Sequence, residues 1–275
     1  MNAFSQFLRF LGEQPGQEAT VAEIFHENTK IAPQRSRPGP EDLSRHAENI
    51  ERADITRYLA ARPKDYPTAD RFELPEADIG RERDLAAIFL ARRSCREFDS
   101  TAGLQLSDIA AVLRFGFGCR PDGSERSRFV PSAGGLHGLE AYLLARRVNG
   151  LGTGHLYHYA PRAHALELLS TKALCAGPPI EVQSELTAAA ALLLVTACSQ
   201  RLTWKYGDRS YRLLLLEAGH AVQASILVAV SRGLACCPIG GFHDDAAHDL
   251  LAVDGVVEFV VYCLALGHER SPGSD

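Results

Sequence analysis

An α+β layered fold is the architecture this chain predicts, and three features carry the prediction. The stretch AAALLLVTAC, ending at Cys198, and the stretch VVEFVVYCLALG, ending at Gly267, have the aliphatic, β-branched and aromatic content of buried strands. Between them, residues 209–232 read as one long, nearly apolar helix. Strands and helices mix without a strict strand–helix–strand alternation, which argues against a dinucleotide-binding parallel sheet.

Along the chain, residues 1–80 read as an extension. Short helical patches such as residues 41–59 are broken by APQRSRPGP and RPKDYPTADRFELP, and these proline clusters mark linkers or extended arms. Residues 81–275 read as one further domain. In it RDLAAIFLARRS has helical periodicity, and SDIAAVLRFGFG repeats that periodicity with Ser107 placed as an N-cap. A polar loop, CRPDGSERSRF, then leads to VPSAGGLHGLEAY. EAYLLARRV and HLYHYAP predict a hairpin turned at NGLGTG. A nucleotide-binding glycine loop is the competing reading of GLGTG, but the G-x-G-x-x-G spacing is incomplete and no helix follows.

Composition narrows the function. The 275 residues are 46% hydrophobic and 23% charged with a net charge of −5, so no basic field points to nucleic acid or an anionic membrane. The longest apolar run, residues 188–198, is too short to span a bilayer. The first residues carry Arg9 inside their apolar stretch and no cleavage pattern, so a cytoplasmic location is expected. Seven cysteines include no C-x-x-C pair, and the adjacent Cys236 and Cys237 are poorly placed for a disulfide. They read as small buried hydrophobes of a reducing compartment. His155 and His158, three apart on a strand, fall on opposite faces, and no metal site is expected.

Four stretches have the residue types of a binding site. ARRSCREF gathers Arg92, Arg93 and Arg96 around Ser94, which is phosphate-binding chemistry, although alone it reads as a solvated patch at a helix end. PSAGGLHGLE sets small residues in a row where a flat ligand can lie on the backbone. ACCPIGGF gives a second small-residue loop after a helix already stopped by Gly233. In LTWKYGDRSYR, Lys205 and Tyr206 are either ordinary loop residues or a proton-handling pair. Inside the long helix Glu217, His220 and Gln223 read as one polar stripe, of satisfied core residues or a helix contact.

Taken in order, FHENTK, DYPTADRFELP, RRSCREF, PSAGGLHGLEAYL, GHLYHYAPRAHALELL, KYGDRSYRLLLLEAGHAVQ, CCPIGGF and EFVVYCLALG resemble the FMN-dependent nitroreductase superfamily. Within it they resemble the SagB-type (McbC-like) peptide dehydrogenases, which oxidise thiazolines and oxazolines to azoles. The resemblance implies a nitroreductase-like sandwich with a mixed, mainly antiparallel sheet. It also implies an intertwined homodimer with FMN in each of two interface sites. It places Arg92, Arg93, Ser94 and Arg96 at the phosphate and ribityl end, with Arg270 as a further phosphate contact. Pro131, Ser132, Ala133, Gly134, Gly135 and Leu136 would lie along the isoalloxazine, and Ile239, Gly240 and Gly241 would reach its other edge. Lys205 and Tyr206 match the family's catalytic pair. Arg209 and Arg212 are near enough in sequence to depress the pKa of either. The chain departs from the family where Gly138 stands in place of a common proline and Ala224 in place of a common asparagine.

The function expected from this resemblance is oxidation of a heterocycle or related amino-acid unit in a peptide. Dioxygen would reoxidise the flavin, and a cyclodehydratase complex is an expected partner. A second reading is an NAD(P)H-dependent nitro or quinone reductase. A third is a flavin-binding or flavin-free scaffold in a biosynthetic complex. The 1–80 extension would brace the dimer or recognise a leader peptide.

Overall fold

A computed structural model describes residues 20–30, 64–77, 84–121, 127–173 and 180–271. In chain order these form α1 (Val21–Asn28), β1 (Arg71–Glu73), α2 (Leu85–Ala91), α3 (Leu106–Phe117), β2 (Leu139–Ala145) and β3 (His155–Ala160). There follow β4 (Ala165–Ser170), β5 (Ala191–Cys198), α4 (Gln200–Tyr206), α5 (Ser210–Ser231), β6 (Ala235–Ile239), α6 (Asp244–Leu251) and β7 (Glu258–Gly267).

The strands make one seven-stranded sheet in the order β1-β4-β3-β2-β5-β7-β6. Every strand pair in it is antiparallel, and among the described residues parallel pairing is confined to an isolated bridge between Leu104 and Val148. The α+β class predicted from sequence is therefore the class observed.

Strand alternation explains the two-layered core. Ala141, Leu143, Leu193, Val195, Leu264 and Leu266 face α3 and α5. Their neighbours Tyr142, Leu144, Leu192, Leu194, Cys263 and Ala265 face a second cluster that includes Ala247 and Leu251 of α6. With both faces covered, β5 reads as a nearly continuous apolar run, broken only by buried Thr196, and has no polar-out face. The long helix expected at residues 209–232 is α5, packed along α3 by the close approach of Ser225 Oγ to the Val112 carbonyl at 3.2 Å.

Three local expectations are corrected. Ser107 lies inside α3; the N-cap is Gln105, whose N–H is received by the Asp108 carboxylate at 3.3 Å. Lys205 and Tyr206 end a helix, α4, closed by Gly207 at φ 52°, and are not loop residues. Within DYPTADRFELP, residues 71–73 form β1 and add an edge strand to the main sheet. The helical patch at residues 41–59 lies outside the described residues, as do residues 78–83 around the division at residue 80.

Candidate functional site

The glycine loop and the Lys-Tyr pair meet. Residues Ala133–Gly135 make a 3-10 turn with Gly134 at φ 63° and Gly135 at φ 64°, a conformation that L side chains rarely adopt. A Cβ on Gly134 would lie 2.6 Å from Tyr206 Oη and 2.8 Å from Lys205 Nζ, so the last residues of α4 close directly over this glycine. Lys205 Nζ stands 5.2 Å from the Tyr206 ring centroid. Lys205 is exposed and Tyr206 is half-buried, which leaves both polar heads available to a ligand lying on the loop.

Arg201, one turn before Lys205, fixes that geometry. Its guanidinium pairs with buried Glu140 and donates to the His137 carbonyl at 3.0 Å, tying α4 to the end of the glycine loop. Glu140 also accepts from the Lys64 N–H at 2.9 Å and faces His158 Nε2 at 3.0 Å. His158 Nδ1 faces Glu167 at 2.9 Å, and Arg71 donates to Glu167 at 2.7 Å. Burial works against charge on Glu140, but Arg201 and His158 outweigh it and hold the carboxyl at about 2. Gly138 lets β2 start beneath both helices, since a Cβ there would stand 2.7 Å from the Leu202 side chain and collide with Leu214. The departure from the family's proline thus has a packing reason.

A second group of expected residues lies at the other end of the sheet. Arg93 pairs with Glu269, Arg96 Nε donates to Gln183 at 3.3 Å, and Arg270 is 3.4 Å from Glu97. The segment is anchored by the Cys95 N–H on the Cys236 carbonyl at 2.9 Å, which sets the arginines beside β6. Gly240 and Gly241 follow β6 with open space where a Cβ would be. In register, Leu139 pairs with Ala197 and Ala197 with Phe259, whereas the arginines flank the end of β7 at Gly267. Eight strand steps separate those ends, about 27 Å at the antiparallel rise. One chain therefore holds the glycine loop and the arginines at opposite ends of β7.

The polar stripe of α5 is not one stripe. Glu217 is buried and accepts from Ser132 Oγ at 2.7 Å, while His220 and Gln223 are exposed. Burial pushes the Glu217 carboxyl up to about 7, against the pull of its Ser132 and Gly138 donors and of Arg128 and Arg201. Arg209 and Arg212 have their hydrogen bonds at the end of α1. Arg209 donates to the Thr29 carbonyl at 2.6 Å and Arg212 to the His26 carbonyl at 2.5 Å, capping the C-terminal end of α1. Sequence reasoning missed Arg201, Glu140, His158 and Glu167. The signal for Glu140 and Glu167 is a lone carboxylate inside an otherwise apolar strand, while His158 is weighed from sequence only as a metal ligand with His155 and Arg201 stands unremarked at the start of α4.

Comparison with known proteins decides the family. The nitroreductase family profile matches residues 90–268. The chain belongs to the nitroreductase family. MJ1384, a nitroreductase homologue of Methanocaldococcus jannaschii, is 30% identical over 186 residues, covering 67% of this chain and 91% of its own. The microcin B17-processing protein McbC of Escherichia coli is 28% identical over 161 residues, covering 55% of this chain and 57% of McbC. Among solved structures, a nitroreductase homologue from Anabaena variabilis superposes with a TM-score of 0.70 at 24% identity. That match covers 94% of this chain but only 49% of the Anabaena chain. The E. coli microcin synthetase McbBCD complex, with truncated pro-MccB17 bound, matches with a TM-score of 0.58 at 22% identity, over 91% of this chain and 92% of that one. These structural likenesses establish the nitroreductase fold.

Nitroreductase-family proteins bind FMN. The residues here fit such a group: a glycine at φ 63° under two polar side chains, a second glycine pair with open space around it, and arginines on the segment that Cys95 anchors to β6.

Proposed function

We propose that this nitroreductase-family oxidoreductase is an FMN-dependent dehydrogenase of the SagB type, oxidising a peptide-borne thiazoline or oxazoline to the azole. The observation that carries the proposal is the closure of Lys205 and Tyr206 over Gly134. Aromatising an azoline removes a carbon-bound proton and a hydride equivalent, and FMN, when bound, supplies the hydride acceptor at N5. The chain must supply the proton acceptor on the substrate side, and Lys205 Nζ and Tyr206 Oη are the groups at hand. Arg201 and Glu140 keep that pair over the loop. Arg92, Arg93, Ser94 and Arg96, with Arg270, hold the phosphate end, and Ile239, Gly240 and Gly241 reach the ring from the far side.

Two observations support a homodimer. The glycine loop and the arginines stand at opposite ends of β7, so one cofactor touches both only if a second copy contributes one of the groups. Apolar side chains also stand exposed on α2 (Leu85 60%, Phe89 55%, Leu90 88%) and on α5 (Tyr211 46%, Leu216 61%), a surface suited to burial by that copy. The same burial would desolvate Lys205, which a basic role near neutrality requires. The similarity to McbC and to the McbBCD complex supports a peptide substrate and partners in a complex; a cyclodehydratase as that partner and a cytoplasmic location belong to the same proposal. In this reading dioxygen reoxidises the flavin, and residues 81–275 carry the FMN-binding domain, whose sheet β1 completes from within the 1–80 extension; the rest of that extension braces the dimer.

A second reading, an NAD(P)H-dependent nitro or quinone reductase, is favoured by the 30% identity to MJ1384. Incubation of FMN-reconstituted protein with an azoline-containing peptide separates the two. Formation of the azole, two mass units lighter, supports the dehydrogenase. Steady NAD(P)H consumption with a quinone and no peptide oxidation supports the reductase.

A further inference from the structure

The loop on which the ligand would lie is tied to α5 by a single buried carboxyl. Glu217 accepts from Ser132 Oγ at 2.7 Å, and Ser132 Oγ itself accepts from the His137 N–H at 2.8 Å. The Gly138 N–H also donates to Glu217. Both ends of the turn at Ala133–Gly135 are thus referred to one side chain.

A hydroxyl has one hydrogen and two acceptor positions. With Glu217 ionised, the Ser132 hydrogen is committed to the carboxylate. With Glu217 protonated, the carboxyl can donate to Ser132 Oγ instead, and the Ser132 hydrogen is free to turn toward the face of the loop. We propose that Glu217 is a positioning residue whose proton decides whether Ser132 donates inward to α5 or outward to a ligand bound on the glycine loop. This rests on the reading of that loop as the flavin cradle. The charged groups facing Glu217 are Arg128, from the segment leading into the loop, and Arg201 of α4. Arg201 is already paired with Glu140, and Glu217 is 5% exposed. Its titration near pH 7, set chiefly by burial, puts the exchange within the working range of the protein.

The test is FMN affinity, read by flavin fluorescence at pH 5.5 and 8.5, in wild type, Glu217→Gln and Ser132→Ala. The wild type is expected to bind roughly fivefold more weakly at pH 8.5, the fold-change of one hydrogen bond, beyond any pH effect shared with the variants. Both variants should lose that added dependence. The Ser132→Ala protein should bind at pH 5.5 with the weaker affinity of the wild type at pH 8.5. A pH dependence equal in all three proteins would overturn the proposal, and so would a Ser132→Ala affinity equal to that of the wild type at pH 5.5. Failure of the wild type to take up FMN at either pH would fall on the flavin reading itself and remove the proposal with it.

Discussion

Gly134 and Tyr206 are in contact across the gap between the glycine loop and α4: a Cβ on Gly134 would stand 2.6 Å from the phenolic oxygen. Gly134→Ala therefore meets two penalties. The φ of 63° costs an L residue roughly 1–2 kcal/mol, and the new methyl must push Tyr206 and Lys205 aside. We expect FMN affinity to fall at least about tenfold with a modest loss of thermal stability, measured by fluorescence titration and calorimetry.

The buried pair of Arg201 and Glu140 holds α4 to β2. Arg201→Met leaves a carboxylate buried without its main cation, which costs on the order of 3–5 kcal/mol, read as a lower urea midpoint. The acid limb of stability follows from the same group. Its folded value of about 2 lies below the ordinary 4.5, so its stabilisation is complete above pH 4.5 and lost as pH falls toward 2. Glu140→Gln should flatten that limb by about 3 kcal/mol.

Glu217 has the opposite sign. Its folded value of about 7 lies above the ordinary 4.5, so its contribution is complete below pH 4.5 and lost as pH rises through 7. Glu217→Gln should consequently be more stable than wild type at pH 8.5, by up to about 3 kcal/mol, and nearly equal to it at pH 5. Unfolding curves at the two pH values check the difference between proteins, in which other titrations cancel.

Helix α1 leans chiefly on Arg209 and Arg212, because among its described apolar side chains Val21 is 84% exposed and Ile24 45%. Phe25 packs edge-on against Tyr211 at 5.5 Å. Removing both guanidiniums should lower amide-exchange protection across residues 21–29 by about tenfold, an energy near 1.4 kcal/mol. The global unfolding midpoint should not change.

The parts of the fold visible in the sequence were those with a strong period or punctuation. The β2–β3 hairpin, β5, β7 and α5 all lie where alternation, apolar runs and glycine turns put them. The glycine loop and the Lys-Tyr pair were recognisable as motifs, but their contact was not, because it depends on Gly207 ending α4 just after Tyr206. The stripe on α5 was misread for a geometric reason. At 3.6 residues per turn, positions 217, 220 and 223 spread over about 120°, so Glu217 points inward while His220 and Gln223 point out. The ion network escaped notice because Glu140, His158, Glu167 and Arg201 become neighbours only through sheet register and the return of α4. A lone carboxylate in an apolar strand marks Glu140 and Glu167 as needing a partner, but which partner each meets is written only in the sheet register.

The central claim is that Lys205 and Tyr206 handle the proton of an azoline lying over the glycine loop. Its most direct test is the rate of azole formation in Lys205→Ala and Tyr206→Phe proteins that still bind FMN. The account predicts that at least one variant loses about a hundredfold or more in that rate while FMN affinity stays close to wild type. Wild-type rates in both variants would contradict it.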